Sequence, residues 1–224
     1  MEKNVEQLIA SDLEQIISEY KDLEIINRGL IVPKTIRQEC DILFLGMNPS
    51  FDDKDKRWNN GINWVSSEWE NAKGNYFSKF LKIQDECNVS CAHLDILFFR
   101  ETNQNLIKSF MKDERKLDFL VKQMAISKRL MELSKPRIVL VANALVKEFL
   151  GFNKNDEKTQ GVWMDYDFIK PLDDTIGTSR IITKDSNLYN VPVFFTSMLS
   201  GQRALDLGSF ERLKWHIKFV LKQL

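Results

Sequence analysis

DILFLGMNPSFDD, Asp41 to Asp53, is the stretch on which the reading of this chain turns. Asp41 to Leu45 read as a strand, a short apolar run of the kind buried on both faces in a parallel sheet. The run then breaks into Gly46-Met47-Asn48-Pro49-Ser50, with Phe51 following. A turn needs only one or two such residues. The excess of turn-forming and polar groups at a strand end raises the question of chemistry.

Outward from this stretch, apolar strands alternate with helical periodicity. Val5, Leu8, Ile9, Leu13, Ile16, Ile17 and Tyr20 recur at helical spacing over residues 4–20. A helix is expected from about Tyr76 to Glu86, and AHLDILFFR is expected as a second buried strand ending at Arg100. Residues 114–134 read as a long helix stopped by Lys135-Pro136. RIVLVAN, Arg137 to Asn143, is a third strand, followed by a short helix ending near Gly151. VPVFFTSM, Val191 to Met198, is a fourth, and a closing helix carries Phe210, Leu213, Ile217 and Val220 inward with Ser209 as its expected cap. Residues 52–75 read as irregular, with Trp58, Trp64 and Trp69; edge strands are possible at Val162–Ile169 and Arg180–Lys184. The pattern predicts an α/β fold, three layers (α/β/α) around a central, mostly parallel four-stranded sheet.

Composition narrows the function classes. The 224 residues are 43% hydrophobic with fifteen Phe and five Trp, which suits one globular domain, preceded by a helical extension over about residues 1–30. Lys+Arg and Asp+Glu are 32 each, which argues against wrapping nucleic acid by bulk charge but leaves room for a local basic patch. No window approaches a membrane span, and the N-terminus is unlike a signal peptide, so a cytoplasmic, membrane-free protein is expected. Cys40, Cys87 and Cys91 are too few for a disulfide framework and read as reduced thiols. Neither a metal nor a cofactor is expected, and no GxGxxG or GxxxxGK[ST] phosphate loop occurs.

Ligands of such sheets collect at the carboxyl ends of the strands. Asn48, Asp95 and the Ser197–Ser200 segment stand at or near three of these ends. GMNPSF after a buried strand resembles the first motif of the uracil-DNA glycosylase superfamily, most closely its single-strand-selective monofunctional branch. The order of elements is similar to that family over residues 41–224.

The resemblance implies roles for particular residues. Asn48 would position the attacking water; an amide is no general base, but an oxocarbenium-like sugar can be captured by an oriented water. Met47 and Phe51 would border the base, Trp64 would stack on it, and Asp95 would stand where the family has a base-reading Asn. Ser50, Ser197, Ser200 and Arg203 would contact a DNA phosphate or the leaving group. Each also has a plain structural reading: Asn48 as a turn residue, Trp64 as a core cover, Asp95 as a partner of Arg100, Arg203 as a surface charge. His93 lies close enough to Asp95 to join the candidates.

Two departures from the family pattern matter. An ionised Asp95 only accepts hydrogen bonds, which predicts weak or absent activity on uracil and favours a base with an amino group or two N–H donors. The family's second motif places a His after the fourth strand, whereas this chain reads FTSMLSGQR there. Loss of one preorganised donor costs about 2.7–4 kcal/mol of transition-state stabilisation. The expected function is therefore a monomeric, monofunctional DNA glycosylase acting on a damaged or modified base in single- or double-stranded DNA. The competing expectation is a binding module of the same fold that no longer cleaves.

Overall fold

The computed structural model describes residues 1–54, 56–66, 75–152, 163–169, 172–201 and 204–224. The chain opens with β1 (Glu2–Asn4) and α1 (Glu6–Glu19), then a 3-10 helix at Glu24–Arg28. Next come β2 (Leu30–Pro33), β3 (Thr35–Arg37), β4 (Ile42–Gly46) and β5 (Ile62–Val65). α2 (Asn75–Cys87), β6 (Cys91–Asp95), α3 (Gln104–Phe110) and α4 (Glu114–Ser134) follow. The chain ends through β7 (Ile138–Val141), α5 (Ala144–Leu150), β8 (Ser179–Arg180), β9 (Pro192–Phe195) and α6 (Leu207–Gln223).

The central sheet has the order β6-β4-β7-β9-β8. The first four strands are parallel, and β8 joins β9 antiparallel through Ser179↔Val193 and Arg180↔Pro192. It is thus a mixed five-stranded sheet rather than the four-stranded one expected. Two residues suffice for the extra strand, too short a run to carry a hydrophobic alternation. The other possible edge segment begins at Val162, outside the described residues, and reaches the sheet region through a single bridge, Phe168↔Ile181.

Alternation along the strands builds a core on each face. Leu43 and Leu45 of β4 join Val139, Val141 and Val193 in a cluster with Phe119, Leu120 and Met124 of α4. Ile42 and Phe44 point the other way, with Ile138, Leu140 and Phe194, against Phe80 of α2 and Phe210 and Ile217 of α6. The N-terminal helix, expected as an extension, shares the first core: Ile9, Leu13 and Ile16 are buried in it.

Helix ends follow side-chain chemistry. Asp113, Asn143 and Asp206 accept main-chain N–H groups of α4, α5 and α6. Asp206, not Ser209, is the cap of the closing helix; the Ser209 N–H donates to its carboxylate at 2.9 Å. Lys135 takes φ 43°, a left-handed conformation that ends α4 just before Pro136. Lys214 of α6 is 5% exposed and ion-paired with Glu211 at 2.7 Å and with Glu86.

Two small sheets flank the main one. β1 pairs antiparallel with β3, and β2 pairs parallel with β5 from Leu30↔Ile62 to Pro33↔Val65. The stretch read as irregular from sequence therefore holds a strand. No helix among the described residues is long and apolar enough to cross a membrane.

Candidate functional site

AHLDILFFR does not run on as a strand to Arg100. β6 ends at Asp95, and Ile96–Arg100 becomes a strap folded across the end of β4. Its N–H groups at Ile96 and Leu97 donate to the carbonyls of Gly46 (3.1 Å) and Met47 (3.0 Å), and that of Glu101 donates to Pro49 (2.9 Å). From behind, buried Gln123 accepts the Phe98 N–H at 2.9 Å, and buried Ser127 donates to the Ile96 carbonyl at 2.8 Å. The Gly-Met-Asn-Pro-Ser turn is thus clamped along its length.

Asn48 is fixed by this strap. Its Nδ2 donates to the carbonyls of Glu101 at 2.6 Å, Pro49 at 2.9 Å and Phe99 at 3.4 Å. With the amide nitrogen committed to main chain, Oδ1 is the face of Asn48 left for an occupant. Glu101, 8% exposed, pairs with Arg28 at 2.5 Å and accepts the N–H groups of Thr102 and Asn103, so its carboxylate is spent on structure.

Asn48 borders a cavity of about 570 Å³, within the range of small-molecule sites. The cavity opens at the carboxyl ends of β4, β7 and β9 and continues along the edge strand β6. Met47, Asn48 and Ser50 line it after β4, Asn143 after β7, and Met198 and Leu199 after β9. Trp58, Tyr76 and Phe77 supply aromatic walls, and His93 and Asp95 stand on β6.

Gly46 and Asp95 are register partners. A β-carbon on Gly46 would come within 1.9 Å of Asp95 Oδ1 and 3.0 Å of His93 Nε2. Only a residue without a side chain lets the Asp95 carboxyl lie over the β4 backbone. His93 Nε2 is 3.7 Å from that carboxyl oxygen, beyond hydrogen-bond reach, and it is buried without a hydrogen-bond partner. The rings of Phe77, Phe80 and Tyr76 stand around the imidazole, with ring centroids 5.1, 5.9 and 6.3 Å away.

This enclosure sets the charges. Burial pushes the Asp95 carboxyl up to about 7 and the His93 imidazole down to about 4. Burial and then the nearby Asp95 carboxyl hold the Tyr76 hydroxyl well above its usual range. Near neutrality His93 is therefore an uncharged ring and Asp95 is divided between acid and carboxylate. The sequence reading had taken Asp95 as ionised; burial leaves it only partly so at neutral pH. Arg100, 2% exposed, is turned to main-chain oxygens of Ser50 and Arg28 and to Asn59 Oδ1 rather than to Asp95.

The structure brings together some of the residues singled out from sequence and not others. Met47, Asn48, Ser50 and Asp95 meet at the cavity. Trp64 lies on β5 with its side chain packed against the first core, outside the cavity lining. Trp58 lines the cavity instead, its loop held by Asn63 Nδ2 donating to the Trp58 carbonyl at 2.8 Å. Phe51 is not part of the lining; the guanidinium groups of Arg28 and Arg100 lie 4.4 and 5.2 Å from its ring centre. Ser197 is exposed and Ser200 half-buried, and neither lines the cavity. Arg203 lies outside the described residues.

Asn143 went unremarked in the sequence, although a polar residue at the end of an apolar strand was the available signal. It caps α5 through Oδ1, which accepts from Leu145 at 2.8 Å and Val146 at 3.3 Å, while bordering the cavity. All three cysteines are free; burial pushes Cys40 up to about 12 and raises Cys87 and Cys91, which keeps the thiols protonated. Among the described residues no group of three or more His, Cys, Asp or Glu is arranged to hold a metal ion. No protein-family model matches the chain, and no curated protein matches it.

Proposed function

We propose that this protein is a monofunctional DNA glycosylase of the uracil-DNA glycosylase type. It would take a damaged or modified base into the cavity between Asn48, Trp58 and Asp95 and hydrolyse its N-glycosidic bond. The observation that carries this reading is Asn48 itself. Its amide nitrogen is tied to three main-chain carbonyls, so the side chain borders the cavity in one fixed orientation.

A water accepted by Oδ1 would be oriented without being deprotonated. That suffices where the sugar carries most of the developing positive charge. No lysine lines the cavity among the described residues, which favours attack by water over a covalent amine route. Trp58 offers an aromatic face for a flipped base, worth roughly 1–3 kcal/mol. The natural partner is DNA, met by a monomeric cytoplasmic protein that needs no metal or cofactor for this chemistry.

One observation favours the second reading, a base-binding module without cleavage. Among its described residues, the loop after β9 presents Met198 and Leu199 to the cavity and no side-chain hydrogen-bond donor for the departing base. Single- and double-stranded oligonucleotides carrying a panel of modified bases decide between the two. Abasic product that disappears in Asn48→Ala, with base binding retained, is the expected result. Cleavage indifferent to Asn48→Ala would overturn the assignment of the water. Binding with no product from any base would establish the module.

A further inference from the structure

We propose that Asn143, at the end of β7, is a hydrogen-bond donor to the bound base: its Nδ2 meets a ring carbonyl oxygen, and the bond tightens as that oxygen takes up charge when the base departs. The inference rests on the cavity being a base site, as proposed above; the contact itself does not require cleavage.

Asn48 and Asn143 are held in opposite senses. β4 and β7 run parallel and in register through Leu45↔Val141, so the two residues follow neighbouring strand ends, one position apart. The Asn48 atom that meets three carbonyls has to be the nitrogen, which leaves the oxygen for an occupant. The Asn143 atom that meets the N–H groups of Leu145 (2.8 Å) and Val146 (3.3 Å) has to be the oxygen, which leaves the nitrogen. Asn143 is half-buried on the cavity wall, and among the described residues nothing accepts from its Nδ2. Main-chain bonds thus set both amides, one as an acceptor and the other as a donor.

Several neighbouring donors on the wall are committed elsewhere. Arg100 is engaged with main chain and Asn59, and Thr102 Oγ1 donates to the Phe51 carbonyl at 2.8 Å. Met198 and Leu199, after β9, have no donor to offer. His93 Nε2, buried without a hydrogen-bond partner, stands two strands away on β6, so uncommitted polar atoms line the cavity on both sides of β4. In hydrolysis the C1′–N bond breaks and its electron pair goes to the base, where a conjugated ring oxygen carries much of the charge. The water oxygen bonds to C1′, and one of its protons ends on the released base. A fixed donor on that ring oxygen gains strength as the charge builds and needs no reorganisation. The class of base it suits carries a carbonyl conjugated to the glycosidic nitrogen.

Asn143→Ser and Asn143→Asp separate the donor from the helix cap, because Asn, Asp and Ser cap helices about equally well. Both are expected to melt near the unmodified midpoint, whereas Asn143→Ala, which also loses the cap, melts lower. Single-stranded oligonucleotides carrying deoxyuridine or 5-fluorodeoxyuridine, under an excess of the full chain, read the departing base in a single turnover. The rate in Asn143→Ser is expected to fall about 100-fold with uracil. The fall is smaller with 5-fluorouracil, whose anion is more stable and needs less help. Asn143→Asp is expected to be slower still, since an oxygen replaces the donor. Calorimetric titration with free 5-fluorouracil reads the contact without cleavage, and its affinity is expected to weaken about fivefold or more in both variants. Where neither base is released, the titration decides.

Rates and affinities in Asn143→Ser and Asn143→Asp that match the unmodified protein would overturn this inference and leave Asn48 and the base site standing. So would a loss of rate equal for the two bases, or one that tracks the melting midpoint. Absence of 5-fluorouracil binding by the unmodified protein would overturn the base site as well.

Discussion

The carboxyl of Asp95 occupies the space that a side chain on Gly46 would need, one strand over in the same register. Gly46→Ala is therefore expected to drive Asp95 out of its place or push β6 from β4. Overpacking of this kind costs about 1–3 kcal/mol. Thermal unfolding should show a lowered midpoint, and base titration a weaker affinity, because the displaced Asp95 no longer lines the cavity as it does now.

Stability should respond to pH through two opposed groups. Asp95 is raised from 3.8 to about 7, so it contributes stability at low pH that is lost as pH rises towards 7. His93 is lowered from 6.5 to about 4, so its contribution is present above 6.5 and lost as pH falls through 4. Between about 4 and 6.5 the two slopes cancel. Asp95→Asn removes one of them. Its stability is expected to rise with pH across that window and to exceed the unmodified protein above pH 7 by on the order of 2–4 kcal/mol. Urea unfolding at stepped pH measures both effects.

Asn48→Asp looks like an improvement on paper, since it supplies a base. The structure predicts the opposite for the fold. A carboxylate at this position would face the carbonyls of Glu101, Pro49 and Phe99 that Nδ2 now satisfies. The expected loss is about 1–3 kcal/mol, with faster amide exchange confined to the strap and Glu101.

Trp58 and Trp64 should fail in different ways. Trp58→Leu is expected to weaken base binding while leaving the unfolding midpoint nearly unchanged. Trp64→Leu is expected to lower the midpoint while leaving binding nearly unchanged, because its indole packs on the core. Paired calorimetry and thermal melts distinguish the two; exchanged roles would show the wrong indole had been assigned to the wall.

The parallel strands were legible as unbroken apolar runs and the long α4 as one uninterrupted helical periodicity. β2, β3 and β5 were not, since Pro33 ends one short run and the polar Thr35, Arg37 and Asn63 interrupt the others. Ile96–Phe99 misled for a different reason. Its side chains are as buried as a strand's, but the N–H groups of Ile96 and Leu97 answer the carbonyls of Gly46 and Met47, and that of Phe98 answers the Gln123 side chain, not a ladder. Residue identities at 46, 48 and 95 pointed to a site, and spacing could place them at strand ends. Which indole faces the cavity, and whether residue 95 carries a charge, depend on enclosure by segments far away in the chain.

The strap does more than hold Asn48. Phe98 also accepts the Ile31 N–H at 2.9 Å, and Phe99 bridges Leu30, so the small β2–β5 sheet hangs from the same five residues. That sheet carries Val65 into the wall, while the opposite side of the strap grips the β4 turn. Two walls of the cavity are thus mechanically one body, and a substitution at Gln123 or Ser127, remote from any occupant, would slacken both together.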